Sequence, residues 1–163
     1  PFWGKARSLG LSVKAHAGEF GPASNIDFAI SELGVKRVQH GVAARNSDDL
    51  MSVIAENGVC LDMCPISNYK LRVVDSWQDH PLELFLDRGI RCTVSTDDPF
   101  SFNNSLEDEY LACVEKLGLP PSRLVEIAKN GFRVADLSMR ERDYFLHDID
   151  EVWSEFLNHD STN

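Results

Sequence analysis

His16 and Glu19 stand three residues apart in the stretch VKAHAGEFG, with Gly18 between them, where an apolar run from Leu11 to Ala15 ends. An imidazole nitrogen is a ligand that zinc accepts, and a carboxyl group raised by burial can act as a general acid. Two further polar endings follow the same style. His40-Gly41 closes a second short apolar run, and Ser95-Thr96-Asp97-Asp98-Pro99 closes a fourth. His16 and Asp97 are a nitrogen and an oxygen ligand suited to one divalent metal. With a metal between them, Glu19 is a candidate general acid and His40 a candidate base for a metal-bound water. If Asp97 faces the metal, Asp98 points elsewhere, towards a substrate donor or acceptor. Two protein ligands do not close a catalytic zinc site. The other histidines, His80, His147 and His159, do not end a strand-like run.

Something must bring these residues to one place. Four short apolar runs, Leu11–Ala15, 36–39, 59–63 and 90–95, alternate with helix-like segments. Ser24 to Asp27 reads as a capping-box start for a helix that Gly34 ends. Ser47 opens one that Gly58 ends, and His80-Pro81 opens one that Gly89 ends. Strands alternating with helices make a parallel sheet through right-handed crossovers. The third strand ends in Cys64-Pro65-Ile66-Ser67-Asn68. Four successive strand ends therefore carry polar groups, on the edge of an α/β sheet where ligands bind. Taken singly, each ending is an ordinary turn, cap or structural histidine; the joint placement argues for a site. After the fourth strand the spacing predicts helices from Ser105, from Pro121 and from Ser138 to Leu157. The last carries an apolar stripe, Tyr144, Phe145, Ile149, Val152, Trp153 and Phe156, expected to pack in the core.

The 163 residues suffice for one domain with a real core, and 43% are hydrophobic. No apolar run approaches the length of a membrane helix, and no signal-peptide pattern opens the chain. A net charge of −10 argues against nucleic acid as a partner. Cys60, Cys64, Cys92 and Cys113 form no C-x-x-C pair and are expected to be buried, reduced thiols of a cytoplasmic protein.

HAGE, VQHG, CPISN and STDDP, in this order, resemble the adenosine deaminase family, with LVEIAKNGF similar to a late helix of that family. The resemblance implies a (β/α)₈ TIM-type barrel, one divalent metal (usually zinc), and hydrolysis of a 6-aminopurine to its 6-oxo compound and ammonia. By motif, it implies that His16 and Asp97 bind the metal. Glu19 would protonate purine N1, His40 would activate the metal-bound water, and Asp98 would contact purine N7. The family's H-x-H pair, which supplies two further metal ligands, does not occur here. A full barrel takes about 250 residues. Residues 1–163 are therefore expected to be the C-terminal half of a barrel, its last four β/α units plus C-terminal helices. Its partners would be the missing N-terminal half, or another copy, and a small purine nucleoside or base. The segment after CPISN resembles adenine deaminases, whereas STDDPFSFNNSLEDEY resembles nucleoside deaminases. Adenosine is the favoured substrate on this reading. Adenine, a modified aminopurine, and a catalytically inactive binding module remain open.

Overall fold

The computed structural model describes residues 2–160. Helix α1 (Phe2–Ser8) leads into strand β1 (Lys14–Ala17), helix α2 (Ala23–Ser31), β2 (Arg37–His40), α3 (Asp48–Glu56) and β3 (Cys60–Met63). Then come α4 (Pro65–Lys70), α5 (Leu82–Asp87), β4 (Arg91–Val94), α6 (Pro99–Phe102), α7 (Leu106–Glu115), α8 (Pro121–Val134) and α9 (Met139–Asp160). Short 3-10 turns occupy Val42–Asn46 and Trp77–Asp79.

All four strands are parallel, in the order β1-β2-β3-β4. Alternate residues of a strand point to opposite faces. One face carries Val38, Leu61, Met63, Cys92 and Val94, packed with Ile26, Ile54, Leu82, Phe85 and Ile127 in one buried apolar cluster. Burying side chains of this size contributes roughly 1.5–3 kcal/mol each and fastens the helices to the sheet.

The opposite face is polar. The strand register sets His16, Gln39, Asp62 and Thr93 side by side across the four strands. Asp62 is fully buried there and accepts from Arg37 Nε at 3.1 Å, Arg37 Nη2 at 2.9 Å and Thr93 Oγ1 at 2.6 Å, with Lys14 Nζ at 2.7 Å. Burial alone would raise its carboxyl, but the bonds from Arg37, Lys14 and Thr93 outweigh that and hold it below the ordinary value. A buried carboxylate survives only when paired in this way.

The expected strands and principal helices are present, with shifted ends. β1 begins at Lys14 rather than Leu11, so His16 lies inside the strand and not just beyond it. The capping box expected at Ser24 does not form. Pro22 is the N-cap, with φ −69° and no side-chain bond, and Ser24 sits within the first turn. Ser47, Ser105 and Ser138 do cap their helices; Ser105 with Asp108 forms a full capping box. The stripe on α9 is a larger departure. Tyr144 is 65% and Val152 63% exposed, because α9 packs chiefly against α8 along one side. All four cysteines are free and buried, as expected. No described helix is long and apolar enough to cross a membrane.

Candidate active site

The C-terminal ends of the strands are drawn together by their own backbone. Gly41 N–H donates to Ala17 O at 3.0 Å, and Ala43 N–H to Gly18 O at 2.8 Å, so the turns after β1 and β2 are tied to each other. Gly18 has φ +69°, and a Cβ there would lie 2.4 Å from Ile26 Cδ1. Only glycine allows this approach. His40 and Asp97 adopt positive φ without being glycine, at 66° and 59°. That conformation costs about 1–2 kcal/mol at each residue, and such strain concentrates at functional sites.

The result is a convergence of His16, His40 and Asp97. One ligand atom from each lies within 4.8 Å of the others. A tetrahedral zinc with bonds of about 2.0–2.1 Å holds its ligand atoms closer than this. The His16 and His40 rings are 5.2 Å apart, centre to centre. His40 is buried, and its Nε2 has no hydrogen-bond partner. It lies 3.4 Å from Glu19 Oε2, outside hydrogen-bond geometry. An orphaned nitrogen is costly to bury. Together with a donor set of two imidazoles and a carboxylate, it fits a centre made to receive a metal, water or substrate.

The electrostatics follow from burial. Glu19 is raised above the usual carboxyl range, first by desolvation and then by the neighbouring Asp97 charge. His40 is pushed down to about 4, chiefly by desolvation, with Asp97 opposing and His16 adding to the effect. One group is thus biased towards a protonated carboxyl and the other towards a neutral imidazole, an acid and an imidazole set apart by environment.

Asp98 does not join this cluster. It is the N-cap of α6: Oδ1 accepts from Phe100 N and Ser101 N at 3.1 Å each, and Oδ2 from Ser101 Oγ at 2.5 Å. A carboxylate has about four acceptor sites, which leaves one on Oδ2 for a ligand.

Several residues around the site carried no role in the sequence reading. Ser67 Oγ donates to Asp97 Oδ2 at 2.7 Å. Asn68 Nδ2 lies 3.2 Å from His40 Nδ1, and His80 Nε2 lies 3.3 Å from Asn68 Oδ1. Glu109, fully buried, accepts from Ile66 N at 3.1 Å and from Asn104 Nδ2 at 2.6 Å, and so ties the start of α4 to the segment between α6 and α7. Ser67 and Asn68 stand in the CPISN motif, which was visible. His80 and Glu109 lie far from it in sequence and announce themselves only by burial.

The chain belongs to the adenosine deaminase family, whose sequence model it matches over residues 1–152. An adenine deaminase of Cupriavidus necator is 38% identical over 150 residues, which are 92% of this chain and 43% of that protein. The crystal structure of an adenine deaminase from Arthrobacter aurescens superposes with a TM-score of 0.89 at 33% identity, over 94% of this chain and 46% of that one. A zinc-bound amidohydrolase from Burkholderia ambifaria gives a TM-score of 0.88 over 99% of this chain and 45% of that one; at 24% identity the likeness is one of fold. The chain therefore spans a little under half the length of these proteins. Its α/β fold is the C-terminal half of a TIM-type barrel, four successive parallel β/α units followed by further helices.

Proposed function

We propose that this chain carries the acid and substrate side of a metal-dependent aminopurine hydrolase, and that it is one half of the working barrel. The observation that carries the proposal is the convergence of His16, His40 and Asp97 within 4.8 Å, with Glu19 3.4 Å from His40. His16 and Asp97 would hold a zinc ion, with two further histidine ligands from the other half of the barrel. That half would also cover the open edges at β1 and β4. The metal's contribution is to make a water nucleophilic at neutral pH.

The chain's own residues do the rest. Attack at C6 of an aminopurine pushes negative charge towards N1. Glu19, its carboxyl raised by burial and by the Asp97 charge, would donate a proton to N1 and orient the ring. His40 Nε2, 3.4 Å from Glu19 Oε2, would be the base that takes a proton from the attacking water. The free acceptor site of Asp98 is available to the five-membered ring of the purine.

Adenine is the better-supported substrate. The adenosine preference of the sequence reading finds no support among the relatives, whereas the Cupriavidus necator and Arthrobacter aurescens proteins are both named adenine deaminases. Ammonia release from adenine and from adenosine by the complete zinc-loaded barrel, with its other half present, tests this. Turnover of adenine above adenosine is the expected result. Stoichiometric zinc with no turnover of either would instead favour an inactive barrel half that binds ligands. That second reading draws on the short ligand set among the described residues.

A further inference from the structure

Lys14, Arg37, Cys60 and Arg91 are partners in one row across the four strands, two residues before His16, Gln39, Asp62 and Thr93. Side chains two apart in a strand share a face, so this row is the floor beneath the candidate site. It brings three cations to one carboxylate, Asp62. Lys14 Nζ and Arg37 Nη2 lie 2.7 Å and 2.9 Å from that carboxylate, and Thr93 Oγ1 donates to it at 2.6 Å. Arg91 has no share in it. Its side chain makes no hydrogen bond or ion pair among the described residues. Burial, then the Asp62 charge, pushes the Cys60 thiol up to about 12, and Arg37, Arg91 and Lys14 pull against it. The Arg91 charge is therefore felt within the row. The cleft at this end of the sheet is lined by Arg7, Lys36, Arg37, Arg91 and Arg133 and by no acidic residue, in a chain whose net charge is −10.

We propose that the strand pairing with the open edge of β4 carries an inward-facing Asp or Glu at the level of Arg91, and that this ion pair fastens the other half of the barrel to this one. The inference rests on the half-barrel part of the reading above. β4 ends the sheet, so its outer edge is unpaired within this chain. Closing the barrel covers the floor, where the Lys14 and Arg37 side chains are 41% and 34% exposed. A guanidinium covered without a counter-charge is strongly disfavoured, and its planar fork is matched by a carboxylate. A second copy of this chain does not meet that need. Closing two copies into one ring sets β1 of one beside β4 of the other, so the row would run from Arg91 to Lys14 of the next copy. Every Asp62 in the floor would then serve three cations, and like charges side by side oppose assembly. The occupant of the β4 edge is a different half, complementary in charge.

A crystal structure of the complete barrel reads the pair directly. The expected result is a carboxylate oxygen, from the strand beside β4, within about 4 Å of the Arg91 guanidinium. A neutral or basic neighbour, an inorganic anion in its place, or Lys14 of a second copy overturns the proposal. Charge reversal gives a reading in solution. Beside an acidic neighbour, Arg91→Glu sets two carboxylates together and should lower the urea midpoint of the complete barrel further than Arg91→Met does. With no such neighbour, Arg91→Glu would offset the excess charge of Lys14 and Arg37 and match or exceed Arg91→Met; that order overturns the proposal. If Arg91→Glu does not fold, the wild-type structure still decides. Neither readout uses turnover, so a barrel that releases no ammonia would defeat the deaminase reading and leave this result standing.

Discussion

Ser67 Oγ donates a 2.7 Å hydrogen bond to Asp97 Oδ2, across the gap between α4, which follows β3, and the turn that follows β4. The carboxylate of Asp97 is therefore aimed before any ligand arrives. Outer partners of this kind typically contribute 10- to 100-fold in metal affinity. Ser67→Ala should weaken zinc binding by about that factor. In the complete protein Asp97→Ala should abolish it, and Asp98→Ala should leave it intact while lowering turnover. Elemental analysis after dialysis against graded chelator separates the three. Equal zinc in Asp97→Ala and Asp98→Ala would remove Asp97 from the ligand set.

Glu19→Gln keeps the shape of the side chain and can still donate a hydrogen bond, but it cannot transfer a proton. In the complete zinc-loaded enzyme kcat should fall at least ~100-fold while binding of a ground-state purine analogue changes little. Steady-state ammonia release paired with calorimetric titration of the analogue makes the comparison. A near-normal kcat would take Glu19 out of the reaction.

Glu109 gives a pH dependence of opposite sign to the usual carboxylate. Burial pushes its carboxyl up to about 7, against the bonds from Ile66 and Asn104, from an ordinary value of 4.5. The folded state thus binds the proton more tightly than the unfolded chain. Its contribution to stability is full below pH 4.5 and is lost as pH rises through about 7. The expected loss is roughly 2–3 kcal/mol. Glu109→Gln should flatten this part of the profile, as read by urea unfolding at about pH 5 and about pH 8.

Gly18→Ala should cost roughly 2–4 kcal/mol, combining a left-handed backbone with a methyl forced against Ile26. The denaturant midpoint measures it. A shift within experimental error would mean that the turn after β1 is slacker than its 2.4 Å clearance implies.

His16, Glu19, His40, Asp97 and the sheet were legible because strand periodicity and turn residues are local signals, and four polar strand ends in succession have a common direction. The partners that aim these residues were not. Ile66 and Glu109 are 43 positions apart, and His80 reaches Asn68 across 12. Nothing in the spacing of either residue marks the other. The α9 stripe was legible as a helix face but not in its surroundings, because periodicity says which side is apolar and not what it meets. Phe156 and Val152 instead line an open apolar groove with Leu124 and Val125 of α8. Ser24 misled because Pro22, with its φ fixed, starts the turn two residues earlier.

The order of the strands in the sheet is their order in the chain: Lys14 pairs with Arg37, Arg37 with Cys60, and Cys60 with Arg91. Every pairing closes a loop of only some 20 to 30 residues, so the entropy of closure is modest at each step and no strand waits for a distant one. The sheet is thus able to grow from one side while the polypeptide is still being synthesised, each β/α unit docking on the one before. Asp62, on β3, is a buried carboxylate that needs partners, and two of them, Lys14 and Arg37, precede it in the chain and have by then already emerged.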